Sequence, residues 1–290
     1  MRFFTVSDVF DISTFAQDPK MTAAVSQTFQ HLLAVADIVT VNGKPARGLW
    51  ISQIQSMPVR VNPQPGQGIG DINAGSIGFC IWHILQADGT YLGTISDRGA
   101  AAPGPSPDHT VVGGSGVFLG VTGIHRSSVA SVPLRNASVA EDPSRRRIHG
   151  GGKLSAVFYL YPKDRPTVEV LPEGPSVFHG ADFSPVTPAK PARAGETLIV
   201  RAKGLGPTLP ELLPPGARPF PMDSAEQVLA PVEASIGGKE SQVINKIGWP
   251  GTLDLYRLDI RVPDGIPRGM ASVQFTAAWA PGPEVKIPVE

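Results

Sequence analysis

The sequence predicts an all-β protein of two domains: a front antiparallel barrel of seven or eight strands with one inserted helix, over residues 1–164, and a sandwich over residues 165–290. Turn-forming residues are abundant, with 32 glycines and 30 prolines among 290 residues and no collagen-like period. Apolar segments are short and end at Gly, Pro or Asn-Gly turns. Prolines number 11 up to residue 164 and 19 beyond it. This shift in composition indicates a domain boundary near residues 161–166.

The front domain opens with a predicted strand over residues 3–10 and then carries the strongest helix signal of the chain. Asp18 followed by Pro19 is typical of a helix N-terminus. The apolar residues that would share one face of this helix are Met21, Val25, Phe29, Leu32 and Ala36. We therefore expect an amphipathic helix through these residues, with its apolar face buried.

The remainder of the front domain has the pattern of β-hairpins. The predicted strands cover residues 37–42, 49–61, 77–85, 91–96, 111–112, 121–125 and 154–161. Asn42-Gly43 and Asp88-Gly89 are typical of tight turns between paired antiparallel strands. Together with the first strand, these segments are numerous enough to close a small barrel.

Two of these segments, residues 77–85 and 154–161, are apolar at both odd and even positions. A strand with one solvated face would alternate between apolar and polar residues. We therefore expect one face of each strand to fill or line the barrel, and the other to be covered by the helix, the second domain or another subunit. A plain two-sheet sandwich is the alternative for this domain.

Composition excludes several classes of protein. Lys and Arg number 25 and Asp and Glu number 25, so no broad basic surface for nucleic acid is expected. No apolar run approaches the roughly 20 residues of a membrane span. The N-terminal segment lacks the pattern of a signal peptide, so the chain is expected to be cytosolic or to have lost a leader. The single cysteine, Cys80, lies in an apolar strand and is expected to be a small buried hydrophobe.

Three fragments imitate catalytic or binding motifs. His149-Gly-Gly-Gly152 and the segment 74–78 resemble parts of a serine hydrolase, but their order along the chain is reversed and strands follow Ser76. Gly114-Ser-Gly116 lacks the third glycine of a dinucleotide-binding loop. The six histidines are not spaced as local metal ligands, although barrel strands can bring distant histidines together. No cofactor and no metal are predicted.

A glycine-rich segment after the second hairpin resembles the glycine motif of the dirigent and allene oxide cyclase-like β-barrels. The residues that match that motif are Gly113, Gly114, Ser115, Gly116, Phe118, Gly120 and Gly123. Closely spaced glycines permit the bend that a barrel needs, and Phe118 can anchor the turn in the interior. The resemblance covers about residues 76–161. It implies a trimeric barrel whose apolar pocket steers a ring closure or the coupling of reactive intermediates, without a cofactor.

The second domain resembles the Ig-like carboxy-terminal modules of many acidobacterial proteins. The matching segments are residues 183–189, 194–208, 236–239, 249–252 and 256–265. The same part of the chain predicts six or seven short strands separated by Gly and Pro turns. The resemblance spans about residues 177–289. It implies a bacterial, exported protein in which this module supports or presents its neighbour.

Polar residues on otherwise apolar strands are the candidate site residues, because burying them is costly unless they are paired. The candidates for ligand binding are Asp8, Trp50, His83, Tyr91, Asp97, Arg98, His125 and Tyr159. A carboxylate and a cation at opposite ends of an apolar pocket would orient a hydrophobic molecule with a polar tip.

These observations predict a barrel that binds a small, largely apolar molecule, with cyclisation or coupling left open. If it catalyses, pocket shape and fixed charges would supply the catalysis. The alternative is a structural or surface interaction protein whose barrel is filled by its own side chains. Interior volume distinguishes the two, and either is compatible with a homo-oligomer.

Overall fold

The computed structural model describes the backbone of residues 2–16, 30–58, 73–101, 109–127, 132–135, 151–161, 165–210 and 216–290. Side chains are described over residues 36–53, 77–99, 109–126, 155–160, 165–210 and 216–290. The chain divides into two compact units, Met1–Pro162 and Lys163–Glu290. Strands dominate both units.

The front unit is an antiparallel barrel. Its strands are β1 (Arg2–Ala16), β2 (Gln30–Val41), β3 (Lys44–Pro58), β4 (Asn73–Gln86), β5 (Tyr91–Ala101), β6 (His109–Gly114), β7 (Thr122–Ser127), β8 (Val132–Arg135) and β9 (Gly151–Tyr161). Neighbours pair in chain order from β1 to β7, β7 pairs with β9, and β8 also pairs with β9. Because β1 pairs with β9 as well, the sheet closes on itself and has one inner and one outer face.

Burial alternates along the strands of this barrel. In β4, Cys80, Trp82 and Ile84 are buried, whereas Ile77 and Phe79 are exposed. A closed barrel of eight strands has an interior just wide enough to be filled by side chains, so the buried set faces inward. On the outer face of β4, Ile77 and Phe79 are exposed, whereas the residues that follow at the same parity are half-buried: Ile81, His83 and Leu85.

The predicted helix is wrong where the structure can be compared with it. Leu32 and Ala36 lie in β2, whose residues pair with β1 on one side and with β3 on the other. Spacing of apolar residues favoured a helix, but residues 38–41 are Ile-Val-Thr-Val, which favour a strand. Sheet pairing on both edges then decides the conformation. The start of the predicted helix, residues 18–29, lies outside the described residues.

The Asn-Gly turn between β2 and β3 is confirmed. Asn42 has φ of 51° and Gly43 has φ of 74°. Positive φ at both central residues is the geometry of the hairpin turn whose twist matches that of its flanking strands. The turn pairs Val41 with Lys44, and a register shift between Asp37 and Thr40 then places Ala36 opposite Trp50.

The second unit consists of short antiparallel strands. They are β10 (Thr167–Val168), β11 (Val170–Leu171), β12 (Gly174–Pro175), β13 (Val177–His179), β14 (Thr197–Lys203), β15 (Thr208–Leu209), β16 (Gln227–Val228), β17 (Val232–Ile236), β18 (Lys239–Ser241), β19 (Val243–Gly248), β20 (Tyr256–Arg261), β21 (Gly269–Ala277), β22 (Ala280–Pro281) and β23 (Val285–Val289). One sheet follows the order β10-β14-β20-β19-β16-β15, with β13 beside β14. Another follows β18-β17-β21-β22, with β23 beside β21, and β11 pairs with β12 alone.

Each larger sheet of the second unit buries alternate residues. In β20, Tyr256, Leu258 and Ile260 are buried, and in β21, Val273 and Phe275 are buried. This period of two is what a sheet with one core face requires. Nowhere in the described residues does the chain form a helix with the length and apolarity that crossing a bilayer requires.

Candidate functional site

Five buried polar side chains lie on five successive strands of the front barrel. They are Ser52, Cys80, Asp97, His109 and His125, on β3 to β7. Ser52 is directly opposite Cys80, and Cys80 is directly opposite Asp97. His109 is directly opposite His125. Asp97 is opposite Val111, two residues from His109, so His109 is a diagonal neighbour of Asp97. Since opposite and diagonal neighbours on one face can contact each other, the five side chains gather in one part of the interior, and we call them the polar row.

Asp97 is the centre of the polar row, and it is fully buried. Its Oδ1 accepts a hydrogen bond from Nδ1 of His109 at 2.7 Å. Its Oδ2 accepts a hydrogen bond from Nε1 of Trp82 at 2.6 Å, and Nδ1 of His125 lies 3.4 Å from the same oxygen. A buried carboxylate is tolerable only with such partners, and this one has a donor at each oxygen.

These donors also determine the charge of Asp97. Burial by itself would raise the pKa of the carboxyl group, but hydrogen bonds from His109, His125 and Trp82 hold that pKa well below its usual range. The group is therefore an ionised acceptor. An ionised acceptor requires Nδ1 of His109 to be the donor, which fixes that proton and leaves Nε2 as the other functional nitrogen.

The surroundings of Cys80 favour its uncharged form, whereas those of Asp97 favour the charged one. Its Sγ donates to Oγ of Ser52 at 3.2 Å. Burial raises the pKa of the Cys80 thiol, and the nearby charge of Asp97 raises it further. The surroundings therefore favour the neutral thiol over the thiolate nucleophile.

Aromatic rings surround the polar row. Trp82 lies 5.4 Å from Trp50 and 5.0 Å from Phe158, measured between ring centroids. His125 stacks on Phe158 at 4.8 Å and meets His109 edge-on at 5.2 Å. These rings form a low-dielectric shell in which the hydrogen bonds of Asp97 are stronger than in water.

Gly99 makes room for His109. A Cβ added at Gly99 would lie 2.6 Å from Cδ2 of His109, which is closer than carbon atoms can approach. The ring of His109 therefore occupies the space that a side chain on β5 would fill. The missing side chain at residue 99 positions the imidazole against Asp97.

The glycine-rich segment forms a short turn after β6. Residues Gly116–Phe118 form one turn of 3-10 helix, and Phe118 is fully buried. Gly116 has φ of 60°, and a Cβ there would lie 2.2 Å from the carbonyl oxygen of Leu92. Only glycine fits this turn, and the turn inserts Phe118 into the barrel core.

The structure brings together Trp50, Asp97 and His125 from the predicted site residues. The other four predicted residues with described side chains lie elsewhere. Tyr91 and Arg98 are exposed to solvent. His83 and Tyr159 are half-buried, and they alternate with the inward-facing residues of their strands. His83 and Tyr91 neighbour each other, with ring centroids 6.4 Å apart. Asp8 lies in β1 opposite Leu154 and Ile38 in register, and its side chain is outside the described ones.

Sequence reasoning missed His109 and the polar contacts of Cys80 and Ser52. His109 lies two residues before the predicted segment at residues 111–112, and the sequence analysis did not assign it to a strand. The one available signal is that His109, Val111 and Gly113 share parity, which places a histidine beside a buried valine. Nothing local indicates that it reaches Asp97, because that contact depends on the pairing of β5 with β6.

No family model matches the chain, and no curated protein matches it. Among solved structures, the chain is similar to a pterocarpan synthase dirigent protein. The identity is 12%, the TM-score is 0.28, and the match covers 59% of this chain and 94% of that one. The barrel architecture stands on the strand pairing described above.

Proposed function

We propose that the front barrel binds a small, largely apolar molecule in its interior, and that the polar row orients the polar end of that molecule. The observation that carries this proposal is the buried Asp97, hydrogen-bonded to His109 and Trp82 within an aromatic shell. An apolar pocket with a few convergent polar groups is the usual form of a small-molecule site.

Burying the polar row costs free energy, and this cost supports a functional role for these five residues. Replacing buried ionic groups by well-packed apolar residues is often neutral or stabilising, so a barrel built only for stability gains nothing from Asp97. A carboxylate with a strongly perturbed pKa, paired with two histidines, is typical of sites that bind or transfer protons. Both features of Asp97 support a binding or catalytic role for the barrel interior.

The finer proposal is that the barrel directs a ring closure or coupling without a cofactor. Asp97 fixes the proton on Nδ1 of His109, and an imidazole held in one tautomer can exchange a proton at Nε2. The aromatic shell would hold the reacting molecule in one conformation. The resemblance of the glycine motif to dirigent and allene oxide cyclase-like barrels points to this reaction class. By the same resemblances, we propose a homo-oligomer and an Ig-like second unit in an exported protein.

One observation favours the alternative of a filled, non-catalytic barrel. Trp82 contacts Trp50, His125 and Phe158 within 5.4 Å between ring centroids, so large rings already occupy this part of the interior. Under that alternative the polar row would be a structural network, and the protein would act through its surface.

A thermal-shift screen of the full chain tests the proposal. The probes are phenolics, polyunsaturated fatty acid derivatives and soluble oligosaccharides. Ligand at 100 times its dissociation constant stabilises the native state by about 2.7 kcal/mol, so we expect a saturable rise of several degrees in the unfolding midpoint with one apolar class.

Two histidine variants test whether the ligand binds inside the barrel. His109→Gln changes the inward face and should weaken binding at least about tenfold, because it removes a polar contact from the site. His83→Gln changes the outer face of the same barrel and should leave the affinity unaltered. No shift with any probe, or equal weakening by both variants, contradicts an interior site.

A further inference from the structure

We propose that the polar row is also a binding site for a divalent transition metal of the zinc class, with Cys80, Asp97 and His109 as ligands. One donor atom from each of these three residues lies within 4.8 Å of the other two, and all three residues are buried. They come from three adjacent strands, so no sequence motif reveals them. Within the described residues, no other group of three such side chains converges in this way.

The chemistry of the donors indicates the class of metal. Zinc in proteins is bound by cysteine sulfur, histidine nitrogen and carboxylate oxygen, in tetrahedral arrangements. Magnesium and calcium prefer oxygen ligands, and the cluster offers oxygen from one carboxylate. A sulfur, a nitrogen and an oxygen donor together therefore favour zinc or another first-row transition metal over magnesium and calcium, and cobalt(II) can serve as the spectroscopic substitute.

Asp97 and His109 already lie close to the separation that two ligands of one zinc ion require. Two donors on one tetrahedral zinc lie about 3.3 Å apart, from bond lengths near 2.0 Å. Oδ1 of Asp97 and Nδ1 of His109 are 2.7 Å apart around a shared proton, so a metal would displace that proton and separate the pair slightly. Nδ1 of His125 lies 3.4 Å from Oδ2 of Asp97, but His125 does not belong to the group of three converging donors.

Neighbouring side chains hydrogen-bond to two of the proposed ligands and hold them in position. Trp82 donates to Asp97 and Ser52 contacts Cys80, and such outer partners orient ligands. A divalent cation would also compensate the negative charge of Asp97, which is buried beside His109 and His125. Binding would release protons from the thiol and from the Asp97–His109 hydrogen bond.

Because the chain contains one cysteine, cobalt(II) gives a direct test. The full chain is unfolded, stripped with a chelator, and refolded with cobalt(II) and no organic ligand. We expect about one equivalent of cobalt after gel filtration, a near-ultraviolet thiolate-to-cobalt charge-transfer band, and displacement of that band by zinc. Such a band can arise only from Cys80.

Two variants complete the experiment. Cys80→Ser should lose the charge-transfer band, and His83→Gln, on the same strand but the opposite parity, should keep both the band and the stoichiometry. Wild-type chain that refolds without retaining cobalt, or that retains it without the near-ultraviolet band, overturns the proposal even if Cys80→Ser fails to fold. Because no organic molecule is present, a negative result leaves the proposed binding of an apolar ligand intact.

Discussion

Asp97→Ala should lower the free energy of unfolding of the front barrel by about 3–5 kcal/mol, because each buried donor that loses its acceptor costs about 1–3 kcal/mol. The substitution leaves Nδ1 of His109 and Nε1 of Trp82 buried without their acceptor. Asp97→Asn keeps one acceptor oxygen and should lose less. Equilibrium unfolding of the full chain in urea measures all three proteins.

Arg98→Ala is the matched control for this prediction. Arg98 is the next residue on β5, and its side chain is exposed, so its removal should change stability by less than about 0.5 kcal/mol. A loss below about 1 kcal/mol for Asp97→Ala would mean that the carboxylate is not buried among its donors.

Phe118→Ala should destabilise the front barrel by a similar amount, about 3–5 kcal/mol, because it removes a fully buried ring and leaves a cavity. The turn that carries this ring is held by Gly116 and by the contact of Ser115 Oγ with Thr94 Oγ1 at 2.7 Å. The turn cannot easily move to fill the space. The effect is measured as the shift of the urea midpoint at constant slope.

Leu119→Ala serves as the control for Phe118→Ala. Leu119 follows Phe118 directly and is 48% exposed, so its truncation should cost far less. Equal losses for the two variants would contradict the placement of Phe118 in the core.

Much of the front barrel could be predicted from local patterns. The Asn42-Gly43 and Asp88-Gly89 turns each lie between two observed strands. The doubly apolar segment 77–85 is β4, with Cys80, Trp82 and Ile84 inward. Turn chemistry and period-two patterns are local properties of the chain, so they survive into the fold.

The prediction of a helix through Leu32 and Ala36 was wrong because the spacing of their apolar side chains fits both a helix and a strand. Leu32 and Ala36 fit a helical face, yet they also fit a strand that pairs on both edges. A strand between two partners gains cross-strand contacts that a short helix packed on one face does not. Tertiary pairing, which the sequence does not display locally, decided the outcome.

The site was only partly predictable for the same reason. Asp97 and His125 could be recognised in the sequence as polar residues on apolar strands. His109 could not, because its contact with them depends on the register of β5, β6 and β7. Sequence placed Asp97 at a strand end, but β5 continues to Ala101, which puts the carboxylate well inside the strand. Because β5 is a few residues longer than predicted, Asp97 lies in the barrel interior and not at its rim.

The central claim is that the barrel interior holds histidines anchored on a buried carboxylate, and nitrogen-15 NMR of histidine-labelled, chelator-treated full chain tests it most directly. We predict a slowly exchanging, far-downfield proton on Nδ1 of His109, assigned by its loss in His109→Gln and moved by Asp97→Asn. A His109 ring proton that exchanges as fast as that of the half-buried His83 would contradict the account.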